Sequence, residues 1–207
     1  MAGRPAARPH VFLLGAVAGA LLLGAARLVA LPADADVVHY HANWAIVVDG
    51  ARLDLTPDRY MEDVARCSAH GAIGPRDRVH LHNNDQDGVH VHAPAATWGH
   101  LLANLGFGLG RDWLVTDDGR HLAAAPPRTL KFVLNGQPVA SVHDRVIASE
   151  DRLLISYGAE SADEVVRTQF PLVATTAARL NTEPDPASCS GAAEPTIGHR
   201  VRRAFWF

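Results

Sequence analysis

The chain has 207 residues, 48% of them hydrophobic and 20% charged, with a formal net charge of −3. That suits one core-forming domain plus an anchor or tails, and it gives no reason to expect nucleic acid as a partner. Twelve residues are His and two are Cys, Cys67 and Cys189, so the chemistry to look for is that of imidazole.

Arg4 and Arg8 precede an apolar run from Val11 to Ala26, which Arg27 interrupts and Leu28-Val29-Ala30-Leu31 resumes. Asp34 and Asp36 follow. Basic residues before such a run and acidic ones after it set residues 1–10 in the cytoplasm and the remainder outside. The run 11–31 is about 21 residues, enough for a ~30 Å hydrocarbon core. A single-pass anchor in the cell membrane is therefore expected, with the membrane as a partner through this helix. The alternative is a cleaved signal peptide and a secreted product, since Ala33-Asp34-Ala35 has the small-x-small form. Both readings export residues 37–180. Outside the cytoplasm Cys67 and Cys189 are expected to form a disulfide, closing a loop worth roughly 4–5 kcal/mol in the chain-entropy model. The rival reading makes one of them a thiolate ligand.

Residues 37–48 alternate and are rich in β-formers, and they include the pair His39-x-His41. Asp49-Gly50 is a two-residue hairpin turn, with Arg52–Leu55 returning. Thr56-Pro57 opens a short helix that ends near Cys67, with Thr as cap and Pro in the first turn. Residues 68–77 form a loop.

The next stretch carries the chemistry. His80-Leu81-His82 and Val89-His90-Val91-His92 flank Asn83-Asn84-Asp85-Gln86-Asp87-Gly88. Side chains at i and i+2 of a strand share a face. Paired as a hairpin about that loop, His82 falls opposite His90 and His80 opposite His92. Directly opposed Cβ atoms are about 4.5–5.5 Å apart, so four imidazoles would crowd one face. His80, His82, His90 and His92 are the candidate ligands of a copper or zinc ion, which neutral imidazole suits. His39 and His41 join them if their strand lies next to the hairpin. Asn83-x-Asp85-x-Asp87-Gly88 also matches the first half of a calcium loop, but Pro94 stands where that loop needs a bidentate Glu. Turn formation explains these residues better. The lone His70, His100, His121 and His143 read as structural or solvated.

Beyond the hairpin, Thr97 caps a helix through Leu105 with Gly106 as its stop. Trp113–Val115 and His121-Leu122 flank the turn Asp117-Asp118-Gly119. Thr129–Leu134 is a strand, Asn135-Gly136 a second hairpin turn, and Leu153–Tyr157 a last apolar strand. Ser161 and Glu164 form a capping box. Residues 181–207 read as an irregular tail. The fold class expected is α+β, a mostly antiparallel sheet with one or two short packed helices.

Several segments together resemble an uncharacterised family of prokaryotic membrane-anchored exported proteins with repeated His-x-His motifs. They are His39-Tyr40-His41-Ala42-Asn43-Trp44, Val79-His80-Leu81-His82-Asn83-Asn84, Val89-His90-Val91-His92-Ala93-Pro94, Thr97-Trp98-Gly99, Leu134-Asn135-Gly136 and Asp151–Gly158. The resemblance implies export and the His pattern, and supplies no reaction. The helix from Thr97 followed by strand, Asn-Gly turn and last strand is also similar to the β-grasp (ubiquitin-like) order.

Three functions are open at this point. The leading one is an exported, membrane-tethered copper or zinc protein. A second is a metalloenzyme with an open coordination position and Asp85 or Asp87 as acid or base. A third is a non-metal envelope module in which the His are incidental or sense pH.

Overall fold

The computed structural model describes residues 9–30 (side chains of 12–27), 38–63 and 74–183, with Val201 and Phe205. It divides into two units, Met1–Asp36 with Ala192–Phe207, and Val37–Gly191. Cys67 and Cys189, expected as a disulfide, both lie outside the described residues.

In the first unit α1 (Pro9–Ala30) exposes Phe12, Leu13 and Leu22, and Gly24 is buried where a Cβ would overlap the Phe205 ring. Among the described residues no helix is long and apolar enough to cross a membrane, so the span expected over 11–31 gains no support.

The second unit starts with β1 (Tyr40–Val48), which turns at Asp49-Gly50 into β2 (Ala51–Arg52). Both turn residues have positive φ, 49° and 78°, as a type I′ turn needs and as Asp and Gly tolerate. The helix expected from Thr56-Pro57 is, within the described residues, only a 3-10 turn at Asp58–Tyr60 without a side-chain cap. The Thr56 hydroxyl is spent instead as a donor to Asp54 Oδ1 at 2.6 Å.

The chain continues through α2 (Pro75–Arg78), β3 (Val79–His80), β4 (Gly88–Val91) and α3 (Trp98–Asn104). Three short strands follow, β5 (Gly108–Leu109), β6 (Trp113–Val115) and β7 (His121–Ala123). Then come β8 (Thr129–Leu134), β9 (Gln137–Val139) and β10 (Arg152–Gly158). α4 (Ala162–Thr168), a 3-10 turn at Phe170–Leu172 and α5 (Ala177–Leu180) end the described part. Thr97 caps α3 by accepting the His100 N–H, and Ser161 caps α4 by accepting the Glu164 N–H.

The main sheet runs β3-β4-β1-β10-β8-β9, with β2 also on β1, and β5-β6-β7 form a separate three-stranded sheet. The α+β class holds, and the main sheet is mixed: its pairs are antiparallel except for one. Its central strands β1 and β10 are parallel, with Ile46 opposite Ile155. Parallel neighbours need a long crossover. Here more than half the second unit, including α3, lies between the two strands.

β1 is buried on both faces, and its two periodic sets of side chains serve different layers. Ala42, Trp44 and Ile46 pack in the larger core with Leu153, Ile155 and, from α3, Trp98, Leu101 and Leu102. Fully burying such side chains stabilises by roughly 1.5–3 kcal/mol each. Ala45 and Val47 face the other way, with Val133, Leu154, Val165 and Phe170. Val79, Leu81, Val89 and Val91 belong to the larger core. Strand alternation therefore sends His80, His82, His90 and His92 to the opposite face. The apolar residue inside each His-x-His is what holds the imidazoles in place.

Candidate metal centre

β4 lies between β3 and β1. His90 is opposite His80 on one side and opposite His41 on the other. The hairpin register therefore differs from the expected one, which set His82 against His90 and His80 against His92. The cause lies just after β3. Leu81 leaves the hairpin to bridge Met61, and its carbonyl accepts the Glu62 N–H at 2.7 Å. The turn then starts at His82, whose carbonyl accepts the Asp85 N–H, and Asn83 and Asn84 take positive φ of 58° and 56°.

That turn is fastened on every side. Asp85 Oδ1 accepts the N–H groups of Asp87 and Gly88 at 2.9 and 3.1 Å. Gln86 takes the Trp44 indole N–H on its carbonyl and the Leu55 N–H on its side-chain oxygen. The Asp87 carboxylate pairs with Arg52. These residues do the work of a turn rather than of a calcium loop.

The six His of the three His-x-His pairs close on themselves in a circuit. Ring centroids are 4.7 Å apart for His39–His41, 4.2 Å for His41–His90 and 3.5 Å for His90–His82. The circuit continues with 5.6 Å for His82–His80, 5.0 Å for His80–His92 and 5.0 Å for His92–His39. Five of the six rings belong to residues no more than 5% exposed, and His39 is half-buried.

Within the circuit, His39, His41 and His90 place one nitrogen each within 4.8 Å of the others, a separation at which three imidazoles can share one ion. Among the described residues this is the group of that kind. The two His treated as secondary on sequence grounds thus join His90, while His80, His82 and His92 fall outside the trio. His41 and His80 both lie opposite His90, but His80 turns its Nδ1 to the Arg76 carbonyl.

His39 Nε2 is buried without a hydrogen-bond partner among the described residues. His41 Nε2 and His90 Nδ1 are 2.8 Å apart. Ligand nitrogens about 2.0–2.1 Å from a tetrahedral ion sit about 3.3 Å apart, so this pair needs to open by only about half an ångström. Burial, and then the positive charge that His82, His41, His80 and His92 would bring, hold the His90 ring far below the usual imidazole range. It is neutral, as a ligand must be. His80 donates its Nδ1–H to the Arg76 carbonyl at 2.9 Å, which fixes its tautomer.

A cleft of about 560 Å³ opens beside the trio, lined by His39, His41, His82, Asp85, His90 and Glu183 among others. An ion on these three His would keep a face toward solvent, with two carboxylates nearby. Asp87, turned to Arg52, is not in the lining.

Two site residues come from the stretch read as tail. Asn181 accepts the His41 backbone N–H on its Oδ1 at 2.7 Å, and Glu183 lines the cleft. Nothing in the local sequence marks them, because their role depends on α5 returning over β1. Asn43 secures that return. Its Nδ2 donates to Thr176 Oγ1 at 2.8 Å and its Oδ1 accepts the Ala177 N–H at 2.9 Å. The lone His residues behave as expected where described. His100 closes the α3 cap, His121 stacks on Trp113, and His143 pairs with Asp144.

No known protein family, curated protein or solved structure matches this chain.

Proposed function

We propose that this chain is a metal-binding protein that holds a copper or zinc ion on His39, His41 and His90 at the floor of an open cleft. The observation that carries the reading is the convergence of three imidazole nitrogens, two from the adjacent strands β1 and β4 and one from His39 just before β1, the last buried without a partner among the described residues. His41 and His90 are held by the sheet before the ion arrives, so little ordering entropy opposes their binding. His82 packs against His90 and lines the same cleft, and it is the nearest further candidate for the coordination sphere.

The proposal extends to place and fold. The apolar run of the sequence behind Arg4 and Arg8 and the family resemblance support an exported domain tethered at the cell membrane, with secretion after cleavage as the alternative. The order β4-β1-β10-β8-β9, with its parallel central pair, supports a β-grasp-like reading of the sheet.

The test is elemental analysis of the full chain, purified without a His tag and loaded with Cu²⁺ or Zn²⁺. The expected result is one ion per chain, lost in the His41→Ala/His90→Ala double variant. Absence of bound divalent metal at micromolar concentration overturns the reading, and so does undiminished loading of a folded double variant.

The cleft favours a second reading, a metalloenzyme acting on a small substrate. Three protein ligands with an open position are the arrangement of catalytic rather than structural zinc. Asp85 and Glu183 are the acids within the lining. A closed four-ligand shell in the metal-loaded protein would remove this second reading and leave the first.

A further inference from the structure

We infer that Asn181 is a positioning residue for His41, one that fixes which ring nitrogen carries the proton and so which one can meet a metal. The inference rests on the reading of His41 as a ligand, but its geometry stands in the metal-free protein.

One oxygen of Asn181 serves His41 twice. Oδ1 is 2.7 Å from the His41 backbone nitrogen and 2.9 Å from its ring Nδ1. A backbone N–H can only donate, so the amide atom facing it is the oxygen and not the NH₂. The other end of the amide agrees, because Nδ2 donates to Ser149 Oγ at 3.0 Å. The orientation of the amide is thereby settled by its partners rather than by a choice between look-alike atoms. An oxygen facing Nδ1 requires a proton there. In the neutral ring Nε2 then bears the lone pair, and it points at His90 Nδ1, 2.8 Å away. The metal-free contact is therefore a hydrogen bond donated by His90 to His41. A ligating His that gives its other N–H to an oxygen acceptor is oriented and made more basic by it.

The arrangement couples the trio to the segment that covers it. Asn181 directly follows α5, which is held on β1 through Asn43. The amide reaches His41 only when α5 is docked.

The experiment is nitrogen-15 NMR of the metal-free full chain with labelled His, the His41 signals being identified by their loss in a His41→Gln variant. The expected wild-type result is His41 protonated on Nδ1. Asn181→Asp, which keeps the acceptor oxygen, is expected to retain that tautomer. Asn181→Leu is expected to lose it and to bind Zn²⁺ about 10- to 100-fold more weakly in a chelator competition. Protonation of wild-type His41 on Nε2 overturns the inference, as does an unchanged tautomer in folded Asn181→Leu. If Asn181→Leu does not fold, the wild-type and Asn181→Asp spectra decide. A wild-type chain that binds no Zn²⁺ would remove the metal reading while the tautomer result still decides the role of Asn181.

Discussion

His41 and His90 stand directly opposite each other on β1 and β4, and their ring nitrogens are 2.8 Å apart. Each is a third of the proposed ligand set. Loss of an outer-shell partner of a ligand costs 10–100-fold in metal affinity, so loss of a ligand should cost at least about 100-fold. His41→Ala and His90→Ala are each expected to reach that figure in metal titration. His80→Ala, whose ring is tied to the Arg76 carbonyl, is expected to cost less. Equal losses in all three variants would mean that the site has been placed wrongly within the circuit.

Acid should destabilise the metal-free protein. Burial and its imidazole neighbours depress the His90 proton affinity below the ordinary value of 6.5. Below about pH 6.5 the unfolded chain takes up a proton that the folded one refuses, so stability is complete above that pH and declines beneath it. One such group lowers stability by about 1.4 kcal/mol at one pH unit below its unfolded value. Urea midpoints at pH 7.5 and 5.5, compared between wild type and His90→Gln, measure its share. A wild-type protein that gains stability on acidification would contradict the sign.

Gly88 has no room for a side chain. A Cβ there would lie 2.7 Å from Asp85 Oδ2 and 2.9 Å from Leu180 Cδ1. Asp85 cannot easily retreat, since the Asp87 and Gly88 N–H groups hold it. Gly88→Ala is expected to cost about 1–3 kcal/mol, the usual range for overpacking. It should also displace the Asp85 carboxylate from the cleft. Thermal unfolding, with metal affinity alongside, tests both. A neutral effect on both would show that α5 yields freely there.

Asn43 joins three segments and is 1% exposed. Besides Thr176 and Ala177 it donates to the Asp87 carbonyl at 3.0 Å. Asn43→Leu leaves those groups unpaired in a buried place, at about 1–3 kcal/mol for each one that water does not reach. A fall in Tm is expected, together with weaker metal binding through the loosened turn and α5. Unchanged Tm would indicate that water replaces the side chain at little cost.

Much of this architecture was legible locally. The turns at Asp49-Gly50 and Asn135-Gly136, the cap at Thr97 and the strand Thr129–Leu134 are each decided by a few adjacent residues. The face shared by the His-x-His residues was legible too, because alternation needs only the identity of the residue between them. What was not legible was decided at a distance. The parallel match of β1 with β10 depends on a crossover that no local pattern announces. The hairpin register was set by Met61, which draws Leu81 out of the hairpin. Asn181 reached the site through the docking of α5 on β1, so a reading that ended the ordered domain at 180 stopped one residue short of it.

The floor and the roof of the cleft belong to different parts of the chain. His41 and His90 ride on paired central strands, whereas Leu180 and Glu183 belong to a short C-terminal segment moored mainly by side chains such as Asn43. Changes in residues 174–183 can therefore alter how fast an ion enters or leaves while the coordination geometry stays as the sheet built it. On- and off-rates and bond lengths at this site are open to independent adjustment.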